Sequence, residues 1–178
     1  CIMLSLIGTG GFSFAVPAEN PMQGTEYSAM FDSTSDVYGN TFVISPQWQT
    51  DSAVEGETDM QFVFSGVTIT EKYDKARHFA SYDAAAAAFE SRYIRDGALT
   101  KEIAAAVPSF ILAAGTYGGD ITVRYSANIY GAKAGINPND PDFDISAALP
   151  TDAWNANPER SGSEGETVIS GTVLRSNK

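Results

Sequence analysis

The longest alternation of apolar and polar positions lies between residues 119 and 131. Ile121, Val123, Tyr125, Ala127 and Ile129 alternate there with Thr122, Arg124, Ser126 and Asn128. A two-residue period puts one set on each face of a strand, so the segment predicts a strand packed on one side and wet on the other. That is the habit of antiparallel sheets, not of parallel sheets covered on both faces. Over residues 60–70, Met60, Phe62 and Phe64 alternate on even positions, and Val67 and Ile69 continue on odd ones. A one-residue bulge at Ser65-Gly66 would keep both halves facing one core. Gly39-Asn40 between β-favouring flanks reads as a tight hairpin over residues 37–43. Strands are expected at 26–31, 41–45, 60–70, 119–130 and 167–174, with a core of Phe62, Phe64, Val67, Ile69, Phe89, Ile121, Val123, Tyr125, Ile129 and Val173.

Residues 81–107 change period. Ser81 or Asp83 can cap a helix running through Ala84 to Phe89, with Ala85, Phe89 and Tyr93 on one face and Gly97 as a left-handed stop. A second short helix, from Leu99 to Val107, closes at Pro108. No internal repeat is visible, and residues 131–165, rich in Pro, Asn, Asp, Gly and Ser, read as long loops. The pattern predicts an antiparallel β-sandwich, immunoglobulin-like or jelly-roll-like, with a short helical insertion around 81–107.

The first fifteen residues are nearly uncharged and apolar, and they close on Ser13-Phe14-Ala15 before Val16-Pro17. Small residues at the third and last positions before a junction suit a signal peptidase, so export to the cell surface or medium is expected. Three fates stay open: removal as a signal peptide, lipidation at Cys1, or retention as a strand whose Phe12, Phe14 and Val16 alternate into a neighbour's groove. The stretch is too short and glycine-rich for a membrane helix of about 20 residues. Residues 16–178 then form one domain.

Charge narrows the partners. A formal net charge of -11 and a pI near 4.3 disfavour nucleic acid and anionic lipid. Cys1 is the sole cysteine, which excludes an intrachain disulfide and a cysteine zinc site.

Candidate chemistry is sparse. His78 is the single histidine, and the region after residue 15 offers no Gly-x-Ser-x-Gly elbow to partner it, so it reads as a hydrogen-bonded or surface residue. Gly8-Thr9-Gly10-Gly11 lacks the third glycine of a dinucleotide site. Glu55, Glu57 and Asp59 read as a solvated acidic loop, with acid/base catalysis as the alternative. Asp140, Asp142 and Asp144 alternate in a proline-stiffened loop and could converge oxygen ligands on one Ca²⁺; otherwise no cofactor is expected. This is not an EF-hand, since Ile145 and Thr151 stand where glycine and glutamate are required.

The stretch Ala114-Gly115-Thr116-Tyr117-Gly118-Gly119-Asp120-Ile121-Thr122-Val123 resembles the A-G-x-Y hairpin of chaperone-usher pilus subunits, particularly the archaic, spore-coat-U-like ones. The resemblance implies an immunoglobulin-like subunit completed by a neighbour's N-terminal strand, here Phe12, Phe14 and Val16, with a chaperone or other assembly machinery as partner. The leading expectation is a non-enzymatic structural subunit of an extracellular filament, fimbria or surface assembly, a homopolymer of identical subunits. The alternatives are an exported carbohydrate- or ligand-binding module, with Tyr38, Trp48, Tyr73, Tyr130 and Trp154 as stacking faces, and a secreted carboxylate-dependent hydrolase.

Overall fold

The computed structural model describes residues 22–134 and 166–175. Its centre is a parallel sheet built from β1 (Thr41–Ile44), β4 (His78–Phe79), β7 (Ser109–Leu112) and β10 (Asn128–Gly131), in the order β10-β7-β1-β4. The antiparallel sandwich is therefore wrong. Among the described residues, antiparallel pairing occurs only in two hairpins, β2 (Asp59–Phe64) with β3 (Val67–Lys72) and β5 (Ile94–Arg95) with β6 (Ala98–Leu99).

The sheet is parallel because its central strands are apolar on both faces. Every residue of Thr41-Phe42-Val43-Ile44 and of Ser109-Phe110-Ile111-Leu112 is buried. A strand covered on both sides reads as a continuous apolar run and not as an alternation. Phe42, Ile44, Phe110 and Leu112 face α1 (Tyr82–Ser91), which presents Tyr82, Ala85, Ala86 and Phe89 at helical spacing. Phe42 stacks on Phe110 at 5.4 Å and meets Phe89 edge-on at 6.0 Å. Each such ring contributes about 1.5–3 kcal/mol by burial. Val43 and Ile111 point the other way, into a second cluster with Met22, Met30, Phe62, Phe64 and Ile69 from the N-terminal turns and the β2–β3 hairpin. Three layers result: helix, sheet, hairpin.

After β7 the chain turns through β8 (Gly115–Tyr117) and β9 (Ile121–Val123). It then passes along β10 and returns in β11 (Thr167–Ile169) and β12 (Val173–Arg175). β10 lies on β7, β11 on β8 and β12 on β9, all parallel. This is the strand pairing of one coil stacked on another, as in a solenoid.

The corners stack too. Asp120 Oδ1 accepts the Thr172 N–H at 2.8 Å, Thr172 O accepts the Ile121 N–H at 2.9 Å, and Tyr117 O accepts the Ser170 N–H at 3.0 Å. Gly171 lies so close beneath that an added Cβ would overlap the Gly119 carbonyl. At the next corner, Thr167 Oγ1 accepts the Ala132 N–H at 2.9 Å and donates to Leu112 O at 2.7 Å.

Several local expectations change. Residues 60–70 are two strands, and the parity switch is a two-residue turn with Ser65 at φ 51° and Gly66 at φ 75°, not a bulge. Positive φ at both central residues suits the twist of a tight hairpin. Residues 26–31 hold the 3₁₀ turn Ser28–Met30 in place of a strand, and the hairpin expected at 37–43 is the 3₁₀ turn Tyr38–Asn40 leading into β1. The second helix shrinks to the 3₁₀ turn Lys101–Ala104, and Gly97, at φ 78°, serves the β5–β6 turn. Residues 119–130 and 167–174 each divide into two short strands around a corner. The Ala114 to Val123 stretch forms β8, a corner and β9, each paired in parallel, so the antiparallel hairpin implied by the pilus resemblance is absent there.

Of the expected core, Phe62, Phe64, Ile69, Phe89 and Ile121 are buried; Val67, Val123, Tyr125 and Ile129 are half-buried. Val173, 53% exposed, is not core.

Candidate functional site: a buried ion triad and an open strand edge

The densest polar chemistry lies where β3 ends and β4 begins. Arg77 and His78 are 2% and 1% exposed, unusual burial for such residues. Arg77 Nη1 lies 2.8 Å from Glu71 Oε1, and His78 Nε2 lies 3.1 Å from Glu71 Oε2. The backbone N–H of Asp74 donates to His78 Nδ1 at 2.9 Å, so the ring proton sits on Nε2 and is donated to Glu71. Arg77 also donates from Nε to Thr41 O at 3.3 Å and from Nη2 to Met30 O at 3.0 Å, and its guanidinium covers the Tyr38 ring at 3.5 Å. Trp48 meets the imidazole edge-on at 5.4 Å, and Tyr73 stacks at 6.2 Å.

Burial would raise the Glu71 pKa, but the His78 hydrogen bond and the Arg77 charge outweigh it and hold the carboxyl below its ordinary value. Both imidazole nitrogens and all three guanidinium nitrogens are engaged. Among the described residues no hydroxyl bonds to His78. What the triad does is fasten: it ties the N-terminal turns, the start of β1, the end of β3 and the edge strand β4 to one point.

The other expected site residues disperse. Glu55 pairs with Lys75 at 2.8 Å and Asp59 with Lys72 at 2.7 Å, on the surface and apart from the triad. Tyr38, Trp48 and Tyr73 wall the triad, and Tyr130 packs on Tyr27 and Phe64; all four are half-buried. Phe12, Phe14 and Val16, the loop Asp140, Asp142 and Asp144, and Trp154 lie outside the described residues. Among the described residues no group of three His, Cys, Asp or Glu side chains could hold a metal ion. No helix among them is long and apolar enough to cross a membrane.

The second feature is an edge. β10 ends the central sheet, and β11 and β12 each have a partner on one side only among the described residues. Val173 and Leu174, at 53% and 45% exposure, stand on adjacent positions of β12 and so point to opposite faces of it. Sequence reasoning missed both features. The signal for the edge was present: residues 115–117 and 121–123 pair with 167–169 and 173–175 at one constant offset, with Gly119 matched to Gly171.

Comparison of the chain with family models, with curated proteins and with solved structures returns no match.

Proposed function

We propose that this protein is a non-enzymatic structural subunit of an extracellular filament or surface assembly, joined to its copies by strand addition along the edge formed by β10, β11 and β12. The observation that carries this reading is that edge: three parallel strands that, among the described residues, have a partner on one side only, with apolar side chains beside them. Such an edge recruits another strand unless something blunts it. Charge at the edge is the usual block, and β12 bears only Arg175.

The incoming strand is the N-terminal segment of a neighbour, with Phe12, Phe14 and Val16 alternating and Pro17 ending the ladder for want of an N–H. It adds to a parallel edge, so no immunoglobulin-type groove is required. The saturated hydrogen bonding of Glu71, Arg77 and His78 supports a structural reading over a hydrolytic one, because a general base needs a position open to substrate.

Two variants test the reading: Val173→Lys/Leu174→Lys on the edge, and Phe12→Asp/Phe14→Asp on the donor. Each is expected to give folded monomers where the parent chain assembles, as read by light scattering and electron microscopy. Filaments that form from both variants would overturn the reading. Filaments from a mature chain beginning at Val16 would exclude Phe12 and Phe14 as donors.

A further inference from the structure

The corner between β11 and β12 sets conditions on any strand laid upon it. Val173, Leu174 and Arg175 lie on Ile121, Thr122 and Val123, and the same offset matches Ser170 to Gly118 and Gly171 to Gly119. Two of these positions carry the stacking. The Ser170 hydroxyl donates to Tyr117 O at 3.1 Å, and the Ser170 N–H donates to the same oxygen at 3.0 Å. At position 171 only glycine fits, since a Cβ there would overlap the Gly119 carbonyl. The apolar column that follows is covered at its first rung and open at its second: Ile121 is 3% exposed and Val173 53%. A further rung in this register needs a hydroxyl, then a glycine, then an apolar residue two positions on.

The chain contains that sequence once more. Of its four Ser-Gly or Thr-Gly pairs, only Ser170-Gly171 and Thr9-Gly10 have an apolar residue two positions after the glycine, Val173 and Phe12. Thr68 follows Ser65-Gly66 at that distance, and Glu164 follows Ser161-Gly162. With Gly10 matched to Gly171, Leu6 and Ile7 fall on Thr167 and Val168, Phe12 on Val173 and Phe14 on Arg175.

We infer that residues 6–14 of a second copy, a segment outside the described residues, form the next rung, with Thr9-Gly10 seated on the corner at Ser170-Gly171. This rests on the strand-addition reading above and adds to it a register, a direction parallel to β12 and a required glycine. Thr9 donates its hydroxyl to Ile169 O as Ser170 does to Tyr117 O. Gly10 meets the Gly171 carbonyl with no Cβ to obstruct it, and Phe12 covers Val173. Gly8 and Gly11 fall on Ile169 and Thr172, where the ladder already holds side chains, so neither needs to be glycine. A second copy is the source because the chain enters its own body elsewhere. Met22 is buried with Met30, Phe62 and Phe64 on one face of the central sheet, whereas Ile121 and Ile169 belong to the cluster on the opposite face.

The test is the concentration at which the full chain assembles, read by light scattering for the parent and for Gly8→Ala, Gly10→Ala and Gly11→Ala. Gly10→Ala is expected to raise it about tenfold or more, and the other two to leave it within about twofold of the parent. Near-UV circular dichroism of the dilute variants should match the parent, since all three substitutions lie outside the body. Solid-state NMR of an assembly of mixed-labelled copies should place Phe12 of one copy against Val173 of the next. Equal effects of the three variants, assembly of Gly10→Ala at the parent's concentration, or no such contact would overturn this register while leaving strand addition standing. A parent chain that never assembles would remove both. Protection of the β12 amides in a chain that is still monomeric would put the same copy's segment on the corner and overturn the assignment to a second copy.

Discussion

At the scale of single residues, Arg77 most directly holds separate segments together. It reaches Met30, Thr41 and Glu71, which are far apart in the chain. Removing one member of a buried ion pair strands the other, so Arg77→Ala should cost about 3–5 kcal/mol in urea unfolding. Glu71→Gln should cost less, since the amide retains a hydrogen-bonding oxygen. The pH dependence has a definite sign. The folded-state pKa of Glu71 lies below its ordinary value of about 4.5, so its contribution is complete above that value and is lost as pH falls through the lower folded value. The stability gap between the parent and Glu71→Gln should therefore close as pH drops from about 5 into the acid range. A gap constant over that window would show that Glu71 is not held ionised by Arg77 and His78. His78 itself was legible as a hydrogen-bonded histidine, but its partners were not. Glu71 lies one residue beyond the strand expected at 60–70, and Arg77 carries no local signal of burial.

At the scale of elements, the legible features were those set by local chemistry. Ser81 caps α1, accepting the Ala84 N–H at 3.3 Å, as its position before an alanine run predicts. β1 lies where its β-favouring residues put it. β7 was missed because Ser109-Phe110-Ile111-Leu112 has no alternation to find: both its faces are covered. The alternation at residues 121–129, taken as one long half-wet strand, spans two short strands and the corner between them. The preceding corner, between β8 and β9, needs room as well as a turn, and Gly171 supplies it beneath the Gly119 carbonyl. Gly171→Ala should lower stability by about 1–3 kcal/mol, the usual cost of overpacking. Gly118→Ala, where a Cβ meets nothing within 4 Å, should be close to neutral. Urea midpoints of the two variants make the comparison, and equal midpoints would contradict the stacked corner.

At the scale of the whole molecule, parallel stacking was hidden because strands that pair are separated by helices, hairpins and the long stretch at residues 135–165. Only the matched residues 115–123 and 167–175 record it, and they share no identity beyond Gly119 and Gly171. Two buried layers, one on each face of the central sheet, fix the body, while the last coil contributes half-buried and exposed residues. Stability should accordingly decline from β1 and β7 outward to β12, since strands paired on one side open most readily. That gradient, and the assembly proposed to cap it, are read together by amide hydrogen exchange on the full chain across protein concentration. In dilute solution the amides of β10, β11 and β12 that face away from β7, β8 and β9 should exchange fast, and they should become protected as copies associate. Association that leaves those amides unprotected, or a chain that stays monomeric at high concentration with them still exchanging fast, would contradict assembly along this edge.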